Sequence, residues 1–489
     1  MRLLSLLSLL LLSLHLQAAD YPKREMRAVW MATIYGMDWP TRPAVNESGR
    51  RQQQQELCDK LDMLRSCNFN TVFLQVRLRG DLIYPSAIEP FNSVFTGRLG
   101  GNPGYDPLAF AIDECHKRNL ECHAWIVTYP VGTAAAAGRN RRSVPRQRPD
   151  LCKLYNGEWY MDPGLPGTSD YLYELVEELI EGYDVDGVHF DYIRYPDLAD
   201  GFPDAATYSR YGRSKSLREW REDNIYRTVE RIYHMVKSQK PWIQVSSSPL
   251  GKYSRINIVP NAGQTGLSVY QDAQRWLHDE IHDFVAPMLY FKDMFFYPFV
   301  KNWMQYKSNR HFVAGLAPYR MLPPDNWPAD EISRQINYLR AVNADGIAFF
   351  RGAQIFRNAK GIRDSLQNHY FRYPALLPPL SWLSDERPPA PLNLSVSVEG
   401  NQIRLAWEVS ASSQAEPASF TVYASPGPWV DTENPVNILA TGLRRQEARF
   451  DISTDIEQGY TFRITASDRY HIESSPSKDV YYYISPYIK

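Results

Sequence analysis

An α/β protein, a (β/α)8 TIM barrel followed by a small all-β sandwich, is predicted for this 489-residue sequence by three features. Eight short β-type runs alternate with helix-period segments through the first three quarters of the chain. No glycine-rich turn follows the first run, which argues against an open doubly wound sheet. A proline cluster then gives way to runs of period two, with no helical pattern after it.

The β-type runs lie at Ala28–Met31, Thr71–Val76, Cys122–Val127, Gly187–Asp191, Ile243–Ser246, Phe284–Leu289, Phe312–Leu316 and Gly346–Phe350. Between them, Leu172, Leu175, Val176, Leu179, Ile180 and Tyr183 keep the i, i+3, i+4 spacing of a one-sided helix. Asp106-Pro107 reads as an N-cap with Pro at the first helical position, leading Leu108, Ala111, Ile112 and Cys115. Leu57, Leu61 and Leu64 mark a third helix, and Ile332, Ile336 and Leu339 a fourth. Residues 20–373 are assigned to the barrel, 374–391 to a Pro-rich linker, and 392–489 to the sandwich. Pro391-Leu392-Asn393-Leu394, Ile403–Trp407 and Tyr460–Ala466 resemble a fibronectin type III domain, in which the Trp and Tyr are core residues.

Residues 1–19 read as an export signal peptide: Arg2, a Leu/Ser run, then Ala18-Ala19 as a cleavage site. That run is short for a bilayer span and no later stretch is long and apolar, so stable membrane insertion is not expected. The 54 Lys+Arg nearly cancel the 55 Asp+Glu, and no segment concentrates positive charge, which excludes a polybasic nucleic-acid binder. The five cysteines, Cys58, Cys67, Cys115, Cys122 and Cys152, form no CxxC pair and no disulfide framework; they read as small core residues. The 13% aromatic content fits large cores, with stacking on sugar faces as a further use.

Strand parity locates the chemistry. In a barrel, alternate side chains point inward, and active sites occupy the C-terminal ends of the strands. Val72, Leu74 and Val76 are uniformly apolar and face the helices, so Phe73, Gln75 and Arg77 face inward. By the same rule His123 and Trp125 point inward from the third run, and Gly187, His189 and Asp191 from the fourth. Gln244, Ser246 and Ser248 follow from the fifth run, and Met288 and Tyr290 from the sixth. Several strands therefore turn polar toward one end, where an ordinary barrel interior is branched and apolar.

Asp191, flanked by Tyr192, Arg194 and Tyr195, is the strongest catalytic candidate. A glycosidase needs one carboxylate to attack or stabilise an oxocarbenium-like centre and another to protonate the leaving oxygen. Asp191 is expected to act as nucleophile or charge stabiliser, with Asp81, Asp162 or Asp293 as proton donor, and spacing alone does not choose among the three. Arg77, His123, Trp125, His189, Tyr192, Arg194 and Tyr290 are candidate substrate-binding residues. His123, His189 and Asp191 could instead form a metal site, but no further His ends the fifth, sixth or eighth run. The expected site thus holds no metal and no cofactor.

These residues also carry a family likeness. Arg27-Ala28-Val29-Trp30, Asn70–Arg77 with Gly80-Asp81 and Tyr84-Pro85-Ser86, Tyr105–Leu108, His123-Ala124-Trp125, Asp162-Pro163-Gly164 and Asp186–Asp191 resemble glycosyl-hydrolase-like family ten, exported bacterial barrel proteins. The resemblance covers residues from about 24 to 370. It implies a (β/α)8 glycosidase acting on bacterial cell-wall glycan, notably strands lacking stem peptides, with Arg77, Asp81, His123, Trp125, His189 and Asp191 at the cleft. Three places depart from the family pattern. Ile126–Pro130 stands where Asn-Pro-Tyr-Arg is usual, Tyr192–Pro196 replaces Asp-Tyr-Phe-Tyr-Pro, and Met288 replaces a frequent Gln. Fewer Asn and Gln donors change which hydroxyls can be bound, and Arg194 would suit an anionic sugar. The leading expectation is an exported, periplasmic or secreted glycoside hydrolase on a polysaccharide. A non-catalytic glycan-binding barrel and a metal-dependent hydrolase or deacetylase are the alternatives.

Overall fold

The computed structural model describes residues 21–259, 263–410, 415–451 and 458–484. The export-signal reading of residues 1–19 lies outside them. The chain divides into two compact units, one of residues 27–64 and 71–362, the other of residues 1–26, 65–70 and 363–489.

The first unit carries a closed eight-stranded barrel. Its strands are β1 (Met26–Met31), β2 (Thr71–Arg77), β3 (Glu121–Val127), β7 (Gly187–Asp191), β8 (Gln244–Ser247), β9 (Phe284–Val285), β10 (His311–Leu316) and β11 (Gly346–Phe349). Neighbouring strands run parallel, with β3 pairing β7 directly. All eight coincide with the β-type runs of the sequence, offset by a residue or two, except that β9 is only two residues long. Pro287 has no N–H to donate to the ladder, so regular pairing stops before it. Met288 keeps only isolated bridges, to Leu250 and Gly315.

The helices follow their apolar stripes. Pro107–Lys117 starts on Asp106, whose side chain accepts hydrogen bonds from the Leu108 and Ala109 N–H groups, and it buries Leu108, Ala111, Ile112 and Cys115. Pro166–Gly182 buries Leu172, Leu175, Val176, Leu179 and Ile180. Leu217–Gln239 opens with a Ser216/Glu219 capping box.

Between β3 and β7 the chain makes an excursion that no periodicity in the sequence announces. It is a three-stranded antiparallel sheet of β4 (Pro130–Thr133), β5 (Cys152–Tyr155) and β6 (Glu158–Met161), in the order β4-β6-β5. Asn156 and Gly157, both at positive φ, make the tight turn between β5 and β6.

The second unit contains antiparallel sheets of three strands, β12 (Leu392–Glu399), β13 (Gln402–Glu408) and β16 (Glu447–Asp451), and of four strands. The latter are β14 (Ser419–Pro426), β15 (Ile438–Leu443), β17 (Gln458–Ser467) and β18 (Val480–Ile484). Ile403, Leu405 and Trp407 of the first sheet pack with Phe420, Val422, Phe462 and Ile464 of the second, which makes a sandwich core. Leu376, within the Pro-rich segment, is buried with Tyr423, Val430 and Ile438. All five cysteines are free thiols.

Candidate active site

The register stacks inward-facing side chains in layers. Phe73 lies beside His123, and His123 beside Gly187. One layer higher come Gln75, Trp125 and His189, and Asp191 stands at the end of β7.

The barrel interior around His189 and His123 is sealed. Phe73 stacks on His189 with centroids 4.4 Å apart, and His123 and Phe284 close the cluster. Trp30 Nε1 donates to His189 Nε2 at 3.1 Å. An indole N–H can only donate, so that ring nitrogen accepts, and Nδ1 carries the proton that His189 gives to Ser246 Oγ at 2.9 Å. Burial pushes the His189 imidazole well below its usual range, with His123 and His282 adding to the effect. His123 is fully buried, its Nε2 2.9 Å from Glu121. Gly187 leaves room for that ring, since a Cβ there would sit 2.2 Å from His123 Nδ1. Both histidines therefore pack the barrel interior and do not reach the cleft, contrary to the expected substrate-binding role. The metal alternative loses its ligands with them, because His189 Nε2 is occupied by Trp30. Among the described residues no three His, Cys, Asp or Glu side chains converge as a metal site.

Above this plug lies a cleft of about 570 Å³, lined among others by Trp30, Gln75, Trp125, Asp191, Tyr192, Ser248, Tyr290 and Phe350. Its floor is aromatic, with Phe350 stacked on Tyr290 at 5.6 Å and edge-on to Trp125 at 6.4 Å. Gln75 Oε1 accepts from the Thr33 and Ile34 N–H groups, which fixes the segment after β1.

Asp191 is nearly buried at the bottom of the cleft. Trp125 Nε1 donates to Oδ2 at 3.2 Å, and the Tyr192 N–H to Oδ1 at 2.7 Å. Burial raises its proton affinity; Arg194, the Tyr192 N–H, Ser248 and Trp125 act against that rise without cancelling it. Arg194 Nη1 stands 4.0 Å from Oδ1, and its guanidinium lies 4.3 Å from the Tyr192 ring centroid. Arg194 is buried and does not line the cleft. Tyr192, at φ 50° and 42% exposed, is the residue that reaches the cleft.

The other candidates separate. Arg77 is sealed away: it grips both oxygens of Glu89 through Nε and donates from Nη1 to the Val127 and Thr128 carbonyls. Tyr171 donates to the same Glu89. Arg77 therefore ties β2 to the end of β3, fully buried and away from the cleft lining. Asp162 is fully buried, accepting from Thr207 Oγ1 at 2.7 Å and from the Gly164 N–H. Asp293 opens an exposed turn outside the cleft. Neither lines the cleft that holds Asp191. Asp81 faces a neighbouring cavity, its carboxyl pushed up to about 6 by burial.

The carboxylates that share the cleft with Asp191 are Glu158 and Asp197, neither of which strand parity could find. Glu158 comes from the excursion, held by Arg79 Nη1 at 2.6 Å and by the Tyr160 hydroxyl at 3.1 Å. The Asn156-Gly157 turn, flanked by Leu154-Tyr155 and Glu158-Trp159, was the signal that could have revealed it.

A closed parallel barrel with a carboxylate and an aromatic floor at the C-terminal mouth is an architecture that glycoside hydrolases use. The glycosyl hydrolase-like 10 family model matches residues 25–310, and the chain belongs to that family. Glycosyl hydrolase YngK of Bacillus subtilis is 32% identical over 93% of this chain and 93% of its own length. Glycosyl hydrolase DigH of Escherichia coli K12 is 34% identical over 58% of this chain and 67% of its own. Among solved structures, the PgaB (BpsB) glycoside hydrolase domain from Bordetella bronchiseptica aligns with 71% of this chain and 99% of its own, at 15% identity and a TM-score of 0.49.

Proposed function

We propose that the protein hydrolyses glycosidic bonds in an exported setting, on cell-wall glycan, with Asp191 as the proton donor and Glu158 as the facing carboxylate. The observation that carries this reading is the environment of Asp191. Burial favours its protonated form, while two N–H donors and the Arg194 charge stabilise the carboxylate left once the proton has gone. A group that must give its proton to a leaving sugar oxygen needs both properties. Glu158, paired to Arg79, supplies negative charge toward an oxocarbenium-like centre or toward a water attacking it. Trp125, Tyr290 and Phe350 offer flat apolar faces to pyranose rings. The leader-like residues 1–19 and the family likeness support export and a cell-wall substrate.

The test is reducing-end release from peptidoglycan glycan strands freed of stem peptides. Asp191→Asn should lower kcat by about 10²–10⁴-fold with the circular dichroism spectrum and Tm preserved. Full activity in the Asp191→Asn enzyme removes Asp191 from the mechanism. Turnover on another polysaccharide, with none on these strands, removes the cell-wall assignment alone.

A further inference from the structure

Beside the cleft lies a second cavity of about 470 Å³, within the ~300–1,000 Å³ range of small-molecule sites. Its walls come from the segments that follow β1, β2 and β3, so it opens on the same end of the barrel as the cleft. The two hollows have Ile34, Tyr35, Leu78 and Arg79 in common, which form a ridge between them. Tyr35 crowns this ridge. It is 74% exposed, and its backbone is held at φ 56°, a region costly for a non-glycine residue. Across the ridge the lining mixes apolar faces such as Val94, Leu99 and Val131 with Asp81, Asn92 and Thr133, the amphipathic blend that sugar rings present in return.

We propose that this second cavity is a remote sugar-binding subsite, so that one glycan chain lies across the Tyr35–Arg79 ridge with its reacting bond beside Asp191 and further sugar units against Asp81. Tyr35 stacks on the unit that crosses the ridge. Asp81 Oδ1 accepts from the Arg79 N–H at 3.3 Å, and Asn92 is a second hydrogen-bond partner of the same carboxylate. A carboxylate has about four acceptor positions, so a sugar hydroxyl can donate to the capacity that remains. Binding energy gathered in this way, far from the reacting bond, would be available to hold the chain in a reactive pose.

The subsite rests on the cleft being where the chain is cut, and the experiment keeps the two ideas apart. Ser93 and Ala136 are exposed residues on the cavity wall, so Ser93→Trp and Ala136→Trp fill the hollow without touching the core. In the full chain carrying Asp191→Asn, affinity is measured by calorimetry for peptide-free glycan oligosaccharides of increasing length. The parent should gain affinity in two steps as the oligosaccharide first fills the cleft and then crosses the ridge. Each Trp variant should lose the second step, about 10-fold in Kd, and keep the first. With Asp191 intact, each should lower kcat/KM for long chains about 10-fold more than for the shortest cleaved oligosaccharide. An unchanged second step in both Trp variants overturns the subsite while leaving the hydrolase reading standing. A lost second step in a protein that cleaves nothing supports the subsite and sinks the hydrolase reading.

Discussion

His189 and Asp191 point the same way from one strand, two residues apart, yet they belong to different parts of the molecule. His189 is locked between Trp30 and Ser246 beneath the cleft, with its proton fixed on Nδ1. Asp191 accepts from the Trp125 indole and the Tyr192 N–H and still lines an open hollow. The same division separates Phe73 from Gln75 on β2 and His123 from Trp125 on β3. An inward polar residue is thus not a site residue by virtue of facing inward; what packs over it decides, since His189 shares its layer with Gln75 and Trp125 but is covered by Trp30 and Phe73.

Arg77 and Glu89 give the sharpest test of that division, because both are fully buried at the edge of the mouth. Glu89→Ala leaves the Arg77 charge unpaired and should cost about 3–5 kcal/mol in urea unfolding, far more than any effect on substrate affinity. A stable Glu89→Ala protein with weakened glycan binding would move the pair into the cleft. Gly187→Ala drives a methyl into the His123 ring and should cost about 1–3 kcal/mol, with kcat little changed in whatever fraction stays folded.

Asp81→Asn is expected to have the smallest effect and the opposite sign. The carboxyl's folded value of about 6 lies above the unfolded 3.8, so its favourable contribution is complete below the lower figure. That contribution is lost as pH rises through the higher one. Asparagine avoids the buried charge, so the variant should be more stable by ~1 kcal/mol at pH 8 and no more stable below pH 4. Thermal unfolding at the two pH values reads this directly, and a gain that persists at pH 3.5 would show that charge is not its source.

Most of the barrel was legible because its strands carry strict parity: Val72, Leu74 and Val76 could face only helices, which fixed where Gln75 points, and Val188 and Phe190 did the same for Asp191. What packs over each side chain was not legible. Nothing in Gly187-Val188-His189-Phe190-Asp191 says that Trp30, distant in sequence, will cap the histidine. Arg77 misled for a related reason, since its acceptor Glu89 lies in an irregular segment with no pattern to place it. The excursion was missed because its three strands are four residues each, too short for alternation to emerge. With it went Glu158.

That excursion has a consequence for redesign. It leaves the barrel after β3 and returns before the helix Pro166–Gly182, so the wall bearing Tyr155, Glu158 and Tyr160 is one continuous insert that none of the eight barrel strands contains. Exchanging residues 130–161 for the equivalent stretch of a relative would graft a different wall onto an unaltered floor, and substrate preference should travel with the graft.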